Sequence, residues 1–174
     1  MISLYDISVM NYLRILDSTI ALMKKSEAHF NENGQSLSDI MSTKLAPDMF
    51  PFPFQVHSVR HHSLHAVQGM LAGEFGPPSS LPTLDYAGLV NVLEEARTEL
   101  AAISESEVNA LEGKLVLFKM GKMEIPFTAE NFAQSFTMPN IYFHASTAYN
   151  ILRMKGAPLG KMDFMGSLKI GMPE

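Results

Sequence analysis

The chain has 174 residues, of which 47 % are hydrophobic and 18 % charged, with a net charge of −5 and no cysteine. This length suits a single domain, 1–174, with a substantial core, and the composition excludes disorder over most of the chain. The acidic balance, with no basic run among aromatic residues, argues against nucleic acid as a partner, and the lack of cysteine excludes thiolate nucleophiles, disulfides and zinc–thiolate sites.

The first segment predicts a long amphipathic helix over residues 3–30. Its apolar residues recur at steps of three and four: Tyr5, Val9, Tyr12, Leu13, Leu16, Ile20 and Met23. We count Tyr12 among the candidate substrate-binding residues. The segment carries acids where a signal peptide needs basic residues, and no apolar run approaches the roughly 20 residues that span a bilayer. We therefore expect a cytoplasmic protein with no membrane partner.

A second helix is predicted from about residue 48 to residue 71. Asp48 is placed to cap its N-terminus, and Pro51 is tolerated in the first turn because the early amides have no partner within the helix. The buried face is defined by five apolar residues: Phe52, Val56, Val59, Val67 and Met70.

This helix also carries a row of histidines at i, i+4 and i+8, namely His57, His61 and His65. Two histidines spaced by four can share a metal ion. Because the row points away from the apolar face, we predict a solvated or interfacial stripe instead, with Phe54 as a dimer contact. His62 lies at the margin of the two faces, and its spacing does not decide its position.

A third helix is predicted over residues 86–103. After it, the spacing of the apolar residues changes from that of a helix to that of a strand. Alternating apolar residues from about 112 to 127 indicate a β-hairpin, with its turn at residues 119–121. Thr128 then begins the last helix, which Gly156 ends. The tail, 157–174, is rich in glycine and proline and predicts an irregular arm. Its apolar residues suggest that it lies on the body or on another subunit.

The last helix is apolar on two faces, one defined by Ile141, Ala145, Ala148 and Leu152 and the other by Phe132, Phe136 and Phe143. Along the edge between them lies a stripe: Asn140, His144, Thr147 and Ile151. This spacing predicts an imidazole inside the fold. We therefore predict an all-α four-helix bundle with a small hairpin inserted before its last helix.

Two interpretations of His144 stay open. It is either a core histidine that bonds to a neighbouring helix, or a neutral imidazole that acts as a general base or a metal ligand. Polar neighbours favour the second: Asn140, Tyr142 and Thr147. Asp48 and Gln55 could complete such a site, although a helix cap and an interhelical hydrogen bond are their simpler roles.

Two motifs, LAPDMFPFPFQV at 45–56 and MPNIYFHASTAYNILRMKGAPLGKMDFMG at 138–166, resemble an uncharacterised bacterial and fungal branch of the DinB-like (YfiT-like) superfamily. The resemblance covers nearly the whole chain. It implies a four-helix bundle with up-down-down-up connection, often a homodimer. In the wider superfamily a divalent metal, typically nickel or zinc, is held by one histidine of helix two and a pair spaced by four on helix four. Some members transfer low-molecular-weight thiols or isomerise maleylpyruvate.

Carried over to this chain, the helix-four pair falls on Asn140 and His144, and the helix-two ligand falls near His57 or His61. Asn140 departs from the three-histidine pattern. We therefore expect no cofactor, and a divalent metal (nickel or zinc) is the weaker alternative.

We predict a small-molecule enzyme that isomerises, cyclises or conjugates an apolar metabolite by acid/base catalysis in a pocket between the helices. The candidate catalytic residues are His144, Asp48 and Tyr142. The candidate substrate-binding residues are Asn140, Gln55, Thr147 and Tyr12. A non-catalytic dimeric small-molecule-binding protein is the first alternative, and a metal-dependent thiol transferase or isomerase is the second.

Overall fold

Helices build most of the body of the protein. The computed structural model describes residues 2–78, 83–168, 170 and 171. The elements are α1 (Leu4–Ile7), α2 (Val9–Glu32), α3 (Leu37–Met41), α4 (Phe52–Arg60), a π-helical turn (His61–His65), α5 (Ala66–Ala72), β1 (Glu74–Phe75), α6 (Tyr86–Ala101), α7 (Glu105–Asn109), β2 (Leu115–Met120), β3 (Met123–Thr128), α8 (Ala129–Asn131), a second π-helical turn (Phe132–Thr137), α9 (Met138–Met154) and α10 (Lys161–Met165). The continuous path from α4 to α5 is called the 52–72 helix, and that from α8 to α9 the 129–154 helix.

The predicted first helix is divided in two at Ser8. The Ser3 hydroxyl accepts a hydrogen bond from the Asp6 amide at 3.1 Å, and the Asp6 carboxylate accepts one from the Ser3 amide at 3.1 Å, so α1 begins with a capping box. Ser8 leaves the helical backbone region, with φ −110° and ψ −84°, and its hydroxyl donates to the Leu4 carbonyl at 2.6 Å. Such local side-chain bonds compete with the backbone ladder, which explains the break.

The 52–72 helix begins at Phe52, and the predicted cap by Asp48 is wrong. Pro51 is the N-cap residue, no side chain caps this end, and Asp48 is exposed in the preceding turn. The extended backbone of Pro51, with ψ 173°, already directs the chain into the helix. At the π-helical turn the Ser63 hydroxyl donates to the Val59 carbonyl at 2.7 Å. A side chain inserted into the ladder in this way favours a wider turn.

The predicted hairpin is confirmed, and a third strand extends it. β2 and β3 pair antiparallel with Val116 opposite Phe127, and the turn falls at residues 121–122, beyond the predicted 119–121. Gly121 has φ +61°, a left-handed conformation that glycine adopts without steric cost. β1 pairs parallel with β2, and Phe75 lies opposite Phe118. A strand of two residues leaves no periodicity in a sequence, which is why β1 was not predicted.

The 129–154 helix follows Thr128, whose hydroxyl accepts from the Asn131 amide at 3.3 Å. Pro139 lacks an N–H, and its ring would collide with the carbonyl one turn back, so the π-helical turn before it relieves that clash. The predicted apolar face is confirmed, because Ile141, Ala145, Ala148 and Leu152 are all buried. The second predicted face is wrong at Phe143, which is exposed, because a single helical period does not hold from Phe132 to Phe143 across the π-helical turn.

The arm lies on the body. Ala157 and Leu159 are buried, and α10 packs against α2. The short helix α10 corrects the prediction of a wholly irregular arm. Its start is fixed by Asp163, whose carboxylate accepts from the Gly160 amide at 2.6 Å. Residues 169 and 172–174 of the predicted arm lie outside the described residues.

The protein is mostly helical with one small three-stranded sheet. α2 contacts α6 and α9, and α4 contacts the same two helices, so the 52–72 helix lies between α6 and α9. In the part of the chain that the structure describes, no helix has the length and apolar character needed to cross a membrane.

Candidate functional site

Five of the six histidines belong to one cluster between the 52–72 helix and α9. The ring centroid of His61 lies 5.1 Å from that of His62 and 5.6 Å from that of His65. The ring of His62 is nearly parallel to that of His144, with 5.9 Å between centroids. His57, one turn before His61, interacts electrostatically with His61 and His65. We call these five residues the histidine cluster.

The predicted outward orientation of the histidine row is wrong for His57 and His61, which are only 5 % and 6 % exposed, whereas His65 is partly exposed. His62, whose position its spacing did not decide, is 8 % exposed. Strand β1 covers this face of the helix: the Phe75 ring stacks on His61 at 4.5 Å, and His61 Nε2 donates to the Gly76 carbonyl at 2.9 Å. Apolar periodicity identified one buried face of the helix correctly, but it carried no information about a strand that folds back over the other face.

His144 is joined to the 52–72 helix by Gln55. Its Nδ1 lies 2.8 Å from Gln55 Oε1, and Gln55 Nε2 donates to the Phe50 carbonyl at 2.9 Å. Because the Gln55 amide group faces Phe50, its oxygen faces His144 and must accept a hydrogen bond. His144 therefore carries its proton on Nδ1, and the lone pair lies on Nε2.

The cluster is neutral at physiological pH. Burial lowers the pKa of His144 from 6.5 to about 4. Burial, followed by the repulsion of His61 and His144, lowers the pKa of His62 to about 3. For His61 burial is again the main cause of a pKa of about 4, which the Gly76 carbonyl opposes. Burial and the nearby Arg60 guanidinium bring the pKa of His57 to about 4.

Two buried imidazole nitrogens in this cluster have no hydrogen-bond partner among the described residues. They are His62 Nδ1 and His57 Nε2. Buried polar atoms are nearly always paired, and an unpaired one costs about 1–3 kcal/mol. The cluster therefore holds polar atoms that a bound molecule or an ordered water could satisfy.

Aromatic residues surround His144 on its exposed side. The His144 ring makes edge contacts with Phe54 at 5.9 Å and with Phe143 at 5.2 Å. Phe50 stacks on Phe54 at 4.2 Å. Phe50 is 62 % exposed and Phe143 56 % exposed, so these three phenylalanines, which we call the aromatic rim, present apolar surface beside the imidazole.

The two predicted tyrosines lie elsewhere. Tyr142 precedes His144 by two residues, which is about 200° around a helix, and its hydroxyl accepts from Arg14 Nη2 at 2.6 Å. Tyr12 is fully buried, its hydroxyl bonds to the Thr137 hydroxyl, and burial raises its pKa. Tyr12 is thus a core residue, and Tyr142 faces α2 from the opposite side of α9.

Asn140 and Thr147 bond to their own helix. Asn140 Nδ2 donates to the Phe136 carbonyl at 2.7 Å, and the Thr147 hydroxyl donates to the Phe143 carbonyl at 2.8 Å. Both bonds reach one turn back, as short polar side chains on helices commonly do. Of the predicted site residues, the structure joins His144 and Gln55 directly.

The three-histidine metal site of the wider superfamily does not fit these side chains. Within residues 2–78, 83–168, 170 and 171, no three histidine or carboxylate groups converge closely enough to hold an ion. Asn140, at the position of the missing histidine, is already bonded to Phe136. The expectation that the protein needs no cofactor stays a prediction.

The sequence did not reveal three residues that shape these surroundings: His62, Phe75 and Arg14. His62 lies in the π-helical turn, where the ordinary helical period does not hold. Phe75 belongs to the short strand β1. Arg14 lies on α2 and is partly buried, with its guanidinium against the Tyr142 hydroxyl. Its sequence context gave no signal of that contact.

Comparisons with known proteins identify the family of this chain and a solved structure with a similar fold. The family model described as domain of unknown function (DUF1993) matches residues 4–165. A DinB family member protein from Shewanella denitrificans, a solved structure, is 26 % identical with a TM-score of 0.78, over 98 % of this chain and 96 % of that one. No curated protein matches the chain. The resemblance to the DinB-like superfamily is confirmed, and the chain belongs to the family described as domain of unknown function (DUF1993).

Proposed function

We propose that this protein is a small-molecule enzyme in which His144 acts as the general acid/base. The contact that carries the proposal is the one between His144 Nδ1 and Gln55 Oε1, at 2.8 Å. It fixes the tautomer and orients the ring, as the partner of a catalytic histidine commonly does. A histidine that served packing alone would not need the aromatic rim to be open beside it.

The chemistry follows from the low pKa of His144, about 4. In the free protein the imidazole is neutral, so Nε2 accepts a proton from the substrate. A base this weak acts on a proton that is already acidic, such as one on carbon between two carbonyl groups. The imidazolium then returns the proton to another atom of the same molecule, which is an isomerisation. Where the carbanion first forms a bond to a second carbon of the molecule and the proton goes to the atom that gains the charge, the product is a cyclic isomer.

The aromatic rim favours an apolar or planar substrate. Phe54 and Phe143 both lie edge-on to the imidazole, so a ring or chain resting on them would lie against His144. Aromatic contacts of this kind contribute about 0.5–1.5 kcal/mol each beyond the burial of area. Among the predicted catalytic residues, Asp48 and Tyr142 have no role in this proposal.

Solvent deuterium provides a test that does not require the substrate to be known. We would incubate the protein with a metabolite extract in D₂O and search by mass spectrometry for molecules that gain deuterium. We expect at least one labelled metabolite with the wild type and none with His144→Ala. His29→Ala is the matched control, because His29 lies on α2 outside the cluster. Equal labelling by His144→Ala would overturn the proposal.

A non-catalytic binding protein is the second candidate, and the unpaired nitrogens of His62 and His57 favour it. A bound ligand could satisfy these atoms without reacting. Retention of an apolar metabolite during purification, with no deuterium exchange and no product formed, would support this candidate over catalysis.

We also propose a cytoplasmic homodimer with up-down-down-up helix connections. The exposed phenylalanines of the aromatic rim, Phe50 and Phe143, support such an interface, which would cover His144 and exclude water from it. Sedimentation over a range of concentrations tests the dimer: a monomer at all concentrations would contradict it and would leave the deuterium test unaffected.

A further inference from the structure

A cavity lies between α1 and α2 on one side and the arm on the other. It has a volume of about 950 Å³. Apolar side chains from both sides line it, among them Ile7, Met10, Leu13, Met162 and Leu168. We call it the arm cleft. Its size lies within the range of small-molecule sites, about 300–1,000 Å³.

Arg14 lines this cleft and is held in place by neutral partners. Its Nη2 donates to the Tyr142 hydroxyl at 2.6 Å and to Asn11 Oδ1 at 3.4 Å. In the described part of the chain, no carboxylate forms an ion pair with Arg14. The guanidinium is therefore oriented but not neutralised.

The other charged side chains that line the cleft form ion pairs or hydrogen bonds. Arg97 bonds to Asp17 at 2.9 Å, and Asp163 bonds to Lys25 at 2.9 Å. The Asp6 carboxylate accepts from Ser3. Arg14 is thus the group to which an incoming anion would bind, at the edge of a largely apolar wall.

We propose that the arm cleft binds an apolar small molecule with a single carboxylate, and that Arg14 binds the carboxylate. The guanidinium fork matches a carboxylate geometrically, and such charge-assisted pairs are among the stronger hydrogen bonds. Asp6 and Asp17 also line the cleft, and their charges disfavour a dianionic phosphate more than a monoanion. The apolar lining takes up the hydrocarbon part. This site is independent of the chemistry proposed for His144.

Titration with octanoate, followed by NMR of the methionine methyl groups, tests the site. We expect saturable shifts of Met10 and Met162, which line the cleft, with no shift of Met23 and Met70, which are buried in the core. 1-Octanol, which has the chain without the carboxylate, should bind at least tenfold more weakly. No saturable shift at Met10 and Met162, or equal binding of octanol, would overturn the proposal.

Substitution of Arg14 tests the role of the charge. Arg14→Gln should weaken octanoate binding by about tenfold to hundredfold, as expected for loss of a hydrogen bond to a charged group. Arg14→Lys keeps the charge without the planar fork and should give a smaller loss. Lys24→Gln removes an exposed cation outside the cleft and should leave the affinity within about threefold. Unchanged binding by a folded Arg14→Gln protein would contradict the assignment, and the methyl shifts of the wild type decide the matter if that variant does not fold.

Discussion

Two residues of α9, His144 and Tyr142, face two different environments. His144 faces Gln55 and a group of neutral, buried histidines. Tyr142 faces Arg14, which lines the largely apolar arm cleft. The His144 side holds neutral, buried imidazoles, whereas the Tyr142 side holds a guanidinium, and for this reason we propose acid/base chemistry on the first side and anion binding on the second. Titration, packing and ion-pair experiments should therefore affect the two sides differently.

Acid should have the largest effect, and it should act on the histidine side. His57 and His61, with pKa values of about 4, and His62, with about 3, are buried as neutral groups, whereas the unfolded chain has the ordinary 6.5. Above pH 6.5 these histidines are neutral in both states, and the free energy of unfolding has its full value. As the pH falls below 6.5, the unfolded state binds protons that the folded state does not bind, so the free energy of unfolding decreases. Each such histidine should lower the free energy of unfolding by about 1.4 kcal/mol per pH unit.

Urea denaturation between pH 7 and pH 4.5 measures this slope. The carboxylates with lowered pKa values, such as Glu130 and Asp163, lose their contribution at lower pH, starting from ordinary values of 4.5 and 3.8. His62→Leu should reduce this slope by about 1.4 kcal/mol per pH unit, the contribution of one such histidine. A flat stability profile in this range would refute the neutral cluster.

Gly69→Ala tests the packing of β1 against the 52–72 helix beside the histidine cluster. A Cβ atom at this position would lie 2.8 Å from Phe75 Cδ2 and 3.0 Å from the Glu74 carbonyl oxygen, so β1 would have to move. We expect a loss of about 1–3 kcal/mol in the free energy of unfolding, with a higher pKa for His61 as it becomes more exposed. Gln68→Ala, next to it on the exposed face, should change stability by less than about 0.5 kcal/mol. Equal stability of the two variants would show that β1 does not pack on the helix in this way.

Gln55→Leu tests the contact that orients His144. The variant removes the acceptor of the His144 proton and the donor to the Phe50 carbonyl, and we expect a loss of about 1–3 kcal/mol. Gln55→Glu should instead raise the pKa of His144, because a carboxylate favours the charged imidazole. Denaturation and NMR titration measure the two effects. An unchanged His144 pKa in Gln55→Glu would argue against the contact.

The smallest effect should follow from Lys25→Ala, on the cleft side. Lys25 and Asp163 form an exposed pair at 2.9 Å between α2 and α10. Such pairs contribute about 0–1 kcal/mol, so global stability should change little, while amide exchange in α10 should become faster. Lys44→Ala, an exposed lysine before the 52–72 helix, is the control. A loss above about 2 kcal/mol would mean that the arm is part of the global folding unit.

Local patterns in the sequence predicted the elements whose burial follows a single period. The face with Ile141, Ala145, Ala148 and Leu152, and the hairpin before Thr128, are both confirmed. These features depend on neighbours three or four residues apart along a helix, or opposite each other in a hairpin. Nothing distant in the chain has to be known to predict them.

The histidine environment depended on distant contacts and on an irregular helix. His61 and His62 are buried because β1 folds back over them, and the π-helical turn at His61–His65 changes the helical phase. For Gln55 the sequence offered an interhelical hydrogen bond as one interpretation, and that contact is present. Tyr142 shares a segment with His144, but two residues along a helix point to nearly opposite sides. The catalytic role of each residue stays a prediction.

The central claim is that Gln55 fixes His144 as a neutral imidazole with its proton on Nδ1. Long-range ¹H–¹⁵N NMR of the histidine side chains, recorded across a pH titration, tests it most directly. We predict a protonated Nδ1 and a bare Nε2 for His144 at pH 7, with a pKa of about 4. A proton on Nε2 at pH 7, or a titration near 6.5, the ordinary value for histidine, would contradict it.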